Sequence, residues 1–422
     1  MPSPAAIDNA ARLLSGAIIR TPLVYSPTFS EMSGTEVYLK LECMQKAGSF
    51  KVRGAMNRIL SDRSSLGKNG VIAASAGNHA QGVAVAARSA GVPATIVMPE
   101  WVSPSKQEAT AGYGATIVLV GKSLQESIEH ALALAASREM TFIHPFDDEL
   151  VIAGQGTIGI EILEDLPDVG MVVVPVGGGG LIAGIATAVK ERRPEARIIG
   201  VQAESSPSAV EALRAGKPIT IESEPSIADG IRVTCTGKLA FPVIRDLVEE
   251  LVVVDDDEII AAILALLERK KVLAEGGGAA PLAALMTGKL PVRENEKVVL
   301  VISGGNVDSF LLERILRKGL FSSGKILQVT VEMEEEGRPV AELLALMARE
   351  GATLIRLDQE RAAPELSLSM ISVTLELEVR GRRHQELLLR KLWDAGYRVT
   401  PLMPPEDISH GFYHSMESGD TE

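Results

Sequence analysis

The chain has 422 residues and a formal net charge of −13 at pH 7, with 46% hydrophobic and only 4% aromatic residues. Its length exceeds one ordinary core and predicts two or three domains, while its negative charge argues against nucleic acid and anionic membranes as partners. Two distant cysteines argue against a disulfide framework or a zinc site, and the lack of a signal peptide and of an apolar run of roughly 20 residues predicts a cytoplasmic protein.

The segment over residues 46–55, KAGSFKVRGA, follows an alternating strand-like run and opens a helical pattern of apolar residues. This pattern places Lys51 in the first turn of a helix, with Ser49 as the predicted N-cap. The N-terminus of a helix disfavours a cation and so favours the neutral amine, which is the form that condenses with a carbonyl group. Lys51 is therefore a candidate nucleophile, and a surface lysine near a helix start is the ordinary alternative.

From residue 71 to residue 318, short apolar runs typical of buried strands alternate with helical patterns. The predicted strands are Val71–Ala74, Ala94–Met98, Thr116–Val120, Met171–Val176, Ile198–Gln202, Leu251–Val254 and Val298–Ile302. The predicted helices are Ala80–Ala90, Leu124–Arg138, Leu181–Arg192, Asp257–Lys270 and Ser309–Lys318. This alternation predicts open parallel α/β sheets divided between two subdomains, with functional turns just after the carboxyl ends of strands.

Three turns that follow predicted strands carry glycines and polar groups, and they are residues 75–79 (SAGNH), 177–181 (GGGGL) and 303–306 (SGGN). Four consecutive glycines beside a helix N-terminus offer unhindered N–H groups that suit a phosphate dianion. A dinucleotide-binding turn is the alternative, but Gln202 stands where such a site needs an acidic residue. An ordinary helix cap is the simpler interpretation of Ser75, and a packed histidine is that of His79.

Together with residues 48–55, these turns resemble the four signature segments of the pyridoxal-phosphate (PLP) threonine dehydratases, also called threonine ammonia-lyases, in order and spacing. The resemblance covers about residues 5–320. It implies the tryptophan-synthase-β-like PLP fold (fold type II), with a catalytic domain over residues 1–321 into which a smaller subdomain of about residues 45–145 is inserted. It also implies pyridoxal 5'-phosphate as cofactor and a homo-oligomer, either a dimer or a tetramer.

The same resemblance implies roles for individual residues. Lys51 carries the cofactor and acts as the base toward the α-proton, Ser303 faces the pyridine nitrogen, and Asn78 donates to the ring hydroxyl. The further cofactor contacts are Phe50, Gly177, Gly178, Gly179, Gly180 and Leu181, with the glycines around the phosphate. The substrate contacts are Ser75, Ala76, Gly77, Asn78 and His79. Glu275 is similar to a family position near the cofactor.

The implied substrate is a small amino acid. L-threonine would give 2-oxobutanoate and ammonia, as the first step towards isoleucine, and serine would give pyruvate as a side activity. A serine dehydratase or a serine racemase is the alternative, although Ala76 stands where the racemases have a serine that carries a proton. No tightly bound magnesium or calcium ion is expected, because Glu204 of the relatives' metal cluster is present but Val210 occupies the place of a carboxylate. A monovalent cation stays open. A PLP-dependent synthase and an amino-acid sensor without turnover also stay open.

The pattern changes after residue 325, where alternating strands and amphipathic helices predict a β-α-β-β-α-β module over residues 326–402. Such a module behind a dehydratase resembles an ACT regulatory domain, and this resemblance implies a branched-chain amino-acid effector. An oligomerisation module without a ligand is the alternative, because Val340 stands where a glycine is expected and Glu334–Glu336 would repel a carboxylate. The tail over residues 403–422 is predicted to be disordered, and its His410 and His414 are not expected to form a metal site.

Overall fold

The computed structural model describes residues 3–64, 66–334, 340–361 and 369–401. The chain forms two compact units, the first ending at Asp308 and the second beginning at Ser309. The boundary therefore precedes the helix Ser309–Ser322, whereas the sequence interpretation placed it after residue 321. The reason is that a short turn joins this helix to the strand Ile326–Glu334, and the two pack together within the second unit.

The first unit alternates strands and helices along most of its length. Its strands are β1 (Leu23–Tyr25), β2 (Glu36–Leu41), β3 (Val71–Ala74), β4 (Ala94–Met98), β5 (Thr116–Leu119), β6 (Thr141–Phe142), β7 (Met171–Pro175), β8 (Arg197–Ala203), β9 (Glu250–Val254) and β10 (Lys297–Ile302). Its helices are α1 (Pro4–Leu14), α2 (Pro27–Ser33), α3 (Lys51–Ser61), α4 (Asn78–Ala90), α5 (Pro104–Gly112), α6 (Leu124–Ser137), α7 (Glu149–Asp165), α8 (Gly180–Arg192), α9 (Ser208–Ala215), α10 (Ala240–Leu247), α11 (Asp256–Ala265) and α12 (Gly276–Met286).

These strands form two sheets. The larger has the order β1-β2-β10-β7-β8-β9, in which β1 is antiparallel to β2 and every other pair is parallel. The smaller has the order β5-β4-β3-β6 and is parallel throughout. All strands of the smaller sheet lie between β2 and β7 in the chain, so the segment that contains them is an insertion into the larger layer.

The inner strands of the larger sheet are apolar on both faces because helices cover both faces. Every residue of β7 and β8 is buried, and so is every residue of β10 except Lys297. In such a sheet, ligands bind outside the carboxyl ends of the strands, and the turns after β3, β7 and β10 lie at such ends. The predicted fold class, open parallel α/β sheets, is confirmed.

The second unit has the element order βαββαβ after its first helix. It comprises α13 (Ser309–Ser322), β11 (Ile326–Glu334), α14 (Val340–Arg349), β12 (Thr353–Glu360), β13 (Met370–Glu378), α15 (Arg382–Asp394) and β14 (Arg398–Pro401). The sheet is antiparallel with the order β12-β13-β11-β14. Alternate residues of β11 are buried, as the sequence pattern indicated.

The element order of the second unit is the predicted one, whereas its kinship with ACT regulatory domains stays a prediction. The predictions for Glu335–Glu336, for His410 and His414, and for the tail 403–422 lie outside the described residues. Among the helices that the structure describes, none combines the length and the apolar character needed to cross a bilayer.

Candidate active site

The lysine singled out by the sequence is the first residue of α3. Its N-cap is Phe50, so the prediction that Ser49 is the cap is wrong. The backbone of Ser49 is extended (φ −161°, ψ 162°) because it pairs with Gly304 in a β-bridge, so Ser49 lies outside the helix start. Its buried Oγ has no hydrogen-bond partner among the described residues.

The side-chain amine of Lys51 contacts a backbone carbonyl group and an aromatic ring. Nζ donates a hydrogen bond of 3.0 Å to the carbonyl oxygen of Pro145 and lies 5.1 Å from the centroid of the Phe50 ring. Burial lowers the pKa of Lys51 from 10.5 to about 8, while the charge of Glu275 acts in the opposite direction. The expected neutral amine is thus favoured, and desolvation, rather than the helix end alone, is the leading cause.

A buried cluster of four charges holds the first turns of α3. Arg53 Nε lies 2.8 Å from Glu42 Oε2, and Arg53 Nη1 lies 2.7 Å from Glu161 Oε1. Lys40 Nζ completes the cluster at 2.6 Å from Glu161 Oε2. Charges buried in this way are tolerated only when they are paired. The pairs join β2, α3 and α7 close to Lys51, the first residue of α3. Sequence reasoning missed the cluster, although Lys40 is conspicuous in an apolar strand.

The turn after β3 has its predicted polar groups close to Lys51. Gly77 N donates to Ser75 Oγ at 3.2 Å, and among the described residues no atom beyond the two chain neighbours lies within 4 Å of the position that a Cβ on Gly77 would take. Ala76 packs at the edge of the smaller sheet's core. His79 is buried and its Nε2 lies 2.9 Å from the carbonyl oxygen of Ile143, while burial and the charge of Lys51 lower the pKa of His79 to about 3. His79 is therefore neutral and packed.

Asn78, the first residue of α4, joins two further site residues. Its Nδ2 donates to Glu275 Oε1 at 2.6 Å, and its Oδ1 accepts from Asn306 Nδ2 at 2.7 Å. Burial raises the pKa of Glu275 to about 7, against the hydrogen bond from Asn78, which lowers it. Glu275 N also donates to Gly304 O at 3.0 Å, which brings Glu275 to the turn after β10.

The four glycines after β7 are enclosed by protein. Gly179 has φ +89°, and a Cβ on it would lie 2.8 Å from Ala240 Cβ. A Cβ on Gly178 would overlap the ring of Phe146, and one on Gly180 would lie 2.6 Å from Phe146 O. Helix α8 begins at Gly180, so its first N–H groups have no intrahelical acceptor.

Gly177 and Leu181 flank this turn. A Cβ on Gly177 would lie 3.1 Å from Ile231 Cα. Leu181 is buried in the core of the larger layer, against which Phe50 also packs. Ser303 directly follows β10, is 3% exposed, and accepts from Phe50 N through its carbonyl oxygen at 3.0 Å. The predicted cofactor residues therefore lie on segments that contact one another.

A strap over residues 143–148 connects these segments, and sequence reasoning missed it. Besides the bonds of Ile143 O and Pro145 O to His79 and Lys51, Asp147 accepts from Leu239 N at 2.8 Å. Asp148 accepts from the N–H groups of the first turn of α7. The cap at Asp148 is visible in the sequence, but the strap's place between Lys51 and the glycine turn depends on contacts distant in the chain.

Comparison with known proteins agrees with this geometry. Residues 14–304 match the family described as "Pyridoxal-phosphate dependent enzyme". An L-threonine ammonia-lyase of Thermotoga maritima is 47% identical over 395 residues, which are 93% of this chain and 98% of the relative. An L-threonine ammonia-lyase of Geobacter sulfurreducens is 45% identical over 397 residues, with 94% and 98% covered.

Two solved structures resemble the chain over about three quarters of its length. The threonine deaminase from T.th. is 40% identical with a TM-score of 0.68, and the match covers 73% of this chain and 99% of that protein. Maize serine racemase is 36% identical with a TM-score of 0.71, and the match covers 75% and 98%. The fold is therefore shared between elimination and racemisation enzymes, and the choice between them rests on individual residues.

Proposed function

This chain belongs to the pyridoxal-phosphate dependent enzymes, and from that premise we propose that it is an L-threonine ammonia-lyase. The protein removes water from the amino acid and releases an enamine that hydrolyses to 2-oxobutanoate and ammonia. The observation that carries the proposal is a lysine amine whose pKa is lowered to about 8 and which a strap holds beside the glycine turn after β7.

The residues of the site fit the cofactor. The first N–H groups of α8, which have no intrahelical acceptor, lie at a positive helix end and match a phosphate dianion. A buried hydroxyl of Ser49 without a partner in the described residues, and the open space beside Gly77, match a site that a ligand completes. Gly177 to Leu181 would hold the phosphate, Ser303 would face the ring nitrogen, and Asn78 would donate to the ring oxygen.

The chain's own groups divide the remaining work. When bound, PLP supplies the electron withdrawal that makes the α-proton of an amino acid acidic. Lys51 holds and moves that proton, because its amine is partly neutral near physiological pH. The N–H groups and hydroxyl of residues 75–79 bind and orient the substrate carboxylate. The hydroxyl of Ser303 leaves the ring nitrogen neutral, which favours elimination over reactions that store charge on the ring.

A serine racemase of the same fold is the second candidate, and Ala76 argues against it. Racemisation needs a second acid/base group on the face of the cofactor opposite the lysine, and the methyl group of Ala76 cannot carry a proton. His79, another residue of that turn that could carry a proton, is held neutral by burial and by the charge of Lys51, against its hydrogen bond to Ile143 O.

Replacement of Lys51 tests the proposal. We expect Lys51→Ala to lose borohydride-trapped PLP and to reduce 2-oxobutanoate formation by about 10³-fold or more. Lys46→Ala is the matched control, because Lys46 lies on the same segment and, among the described residues, its Nζ bonds only to Ala17 O, at 2.6 Å. A trapped adduct on Lys51→Ala would place the cofactor on another lysine, and D-serine formation by the wild type would favour the racemase.

We also propose a branched-chain amino-acid effector for the second unit, a homo-oligomeric state, either dimer or tetramer, and a cytoplasmic location. The βαββαβ order of the second unit supports the proposed effector.

Trp393 on α15 is 52% exposed and one of two tryptophans, so its emission can test for this effector. In a Trp101→Phe background, isoleucine or valine should change Trp393 emission saturably, whereas glycine should not. An unchanged signal would argue for a purely structural module.

A further inference from the structure

The hydrogen bonds around Asn306 form a chain of fixed polarity that begins at a backbone carbonyl. Asn306 Nδ2 lies 2.7 Å from Ala47 O. Because a carbonyl oxygen only accepts, the nitrogen of the Asn306 amide must face it. The same nitrogen lies 2.7 Å from Asn78 Oδ1, and the contact to Gln81 Oε1 is longer at 3.4 Å. Both N–H bonds of the Asn306 amide are therefore engaged.

The polarity continues into the site. Since Asn306 donates to Asn78, the amide of Asn78 must present its oxygen to Asn306 and its nitrogen to the opposite side. That nitrogen lies 2.6 Å from Glu275 Oε1, which takes one of its two N–H bonds. In the described part of the chain no second acceptor is bonded to this nitrogen, so one N–H remains for a ligand.

Glu275 cannot set this orientation by itself. An ionised carboxylate accepts only, whereas a protonated carboxyl group also donates and would tolerate the oxygen of Asn78 equally well. Burial raises the pKa of Glu275 to about 7, so both forms are populated near neutral pH. The Asn306 amide does not titrate, and its orientation is anchored to Ala47.

The structure also makes room for this anchor. A Cβ on Gly48 would overlap Asn306 Oδ1, and Gly48 has φ +69°, so the loop before Lys51 can close over Asn306 only with glycine there. Asn306 thereby joins the Lys51 loop, the start of α4 and the turn after β10.

We propose that Asn306 is a positioning residue that fixes the amide of Asn78 with its N–H₂ group toward the oxygen of the PLP ring. The proposal rests on the proposed function, because it takes PLP as the ligand. It goes beyond that function in explaining why an asparagine, rather than another small polar residue, ends the turn after β10.

The decisive variants are Asn306→Asp and Asn306→Ala. Aspartate has the same size but only oxygens, so Asn78 must turn its N–H₂ group to residue 306 and its oxygen to the cofactor. Alanine removes the hydrogen bond from residue 306 to Asn78 but does not force the Asn78 amide into the opposite orientation. Loss of a hydrogen bond to a charged group costs about 1.5–3 kcal/mol, so we expect the PLP dissociation constant to rise about 10- to 100-fold in Asn306→Asp and less in Asn306→Ala.

The measurements are PLP titration of the apoprotein and the position of the visible band of the bound cofactor. Gln81→Ala is the control, because Gln81 makes the longest contact to Asn306, and we expect a change below about 2-fold. Thermal unfolding of the apoproteins identifies a variant that does not fold. If Asn306→Asp does not fold, Asn306→Ala carries the test, because the visible band of its bound cofactor should be shifted relative to wild type.

If Asn306 only tied loops together, the isosteric aspartate would bind PLP at least as tightly as alanine, with an unchanged band. That result would overturn the proposal. A wild-type protein that traps no PLP on Lys51 would instead overturn the proposed function, so the two failures are distinguishable.

Discussion

The turns after β3 and β7 have the same local design but opposite surroundings. Each leads from a buried parallel strand into a helix and has glycine just before the first helical residues. A Cβ on Gly77, after β3, would meet open space, whereas Cβ atoms on Gly178 and Gly179, after β7, would run into Phe146 and Ala240. One glycine leaves room for a ligand, and the others let protein close around backbone N–H groups.

The two turns also differ in charge. Asn78 in the first turn bonds to Glu275, and Lys51 lies near enough to influence the pKa of Glu275. The second turn packs against the Phe146 ring, Ile231 and Ala240. The ionisation of Glu275 therefore affects the first turn, while the second turn is proposed to bind through N–H groups whose dipoles do not depend on pH.

Among the changes that test this comparison of the two turns, the largest effect is expected for Gly178→Ala. The added methyl group would overlap the Phe146 ring, and the strap that carries Phe146 is fixed at Pro145 and Asp147. Overpacking of this kind costs about 1–3 kcal/mol, so urea unfolding should show that loss, and PLP should bind at least about 10-fold more weakly. Wild-type stability and PLP affinity in Gly178→Ala would show that the ring moves aside freely.

A smaller effect on the free energy of unfolding is expected from the ionisation of Glu275, which bonds to the first turn. The pKa of Glu275 is 4.5 unfolded and about 7 folded, so its protonated form stabilises the fold fully below pH 4.5 and this contribution is lost as pH rises to 7. The apoprotein should lose about 2 kcal/mol from this group between pH 5 and pH 7. Glu275→Gln can still accept from Asn78 but lacks this contribution, so its free energy of unfolding in urea should shift relative to wild type by about 2 kcal/mol between pH 5 and pH 7.

Lys51 affects the free energy of unfolding over a different pH range from Glu275 and in the opposite direction. Because its pKa falls from 10.5 to about 8 on folding, its contribution raises stability as pH rises between those values. The ranges of Lys51 and Glu275 do not overlap, but the lowered pKa of His79 raises stability as pH rises to 6.5, in wild type and variant alike. The difference between wild type and Glu275→Gln therefore isolates Glu275. An equal slope in wild type and Glu275→Gln would contradict the assignment.

The positions of both turns could be predicted from the sequence. β3 and β4 have the predicted bounds, and β7 ends one residue before its predicted end, because apolar strands followed by glycine and a helical pattern are strong local signals. The sequence predicted a neutral Lys51 amine from its place at a helix start, whereas burial is the leading cause of its lowered pKa, and its catalytic role stays a proposal. The resemblance named Asn78 and Ser303, whose roles stay proposals.

What the sequence could not predict depends on distant contacts. The difference between Gly77 and Gly178 is set by Phe146, which lies on a strap far from both in the chain. The predicted cap at Ser49 is wrong because Gly304 holds its backbone extended. The partners of Arg53 and Asn306 come from other elements, so local spacing carries no signal for them.

The smallest effect is expected for Gly77→Ala, the matched partner of Gly178→Ala. In the part of the chain that the structure describes, no atom beyond the two chain neighbours lies within 4 Å of the new methyl group, so the free energy of unfolding should change by less than about 0.5 kcal/mol. The methyl group would project into the space where residues 75–79 are proposed to bind the substrate carboxylate. The KM for threonine should therefore rise about 10-fold, which is about 1.4 kcal/mol, with little change in unfolding. Equal losses of stability in the two variants would mean that both turns use glycine for packing, and the contrast between them would fail.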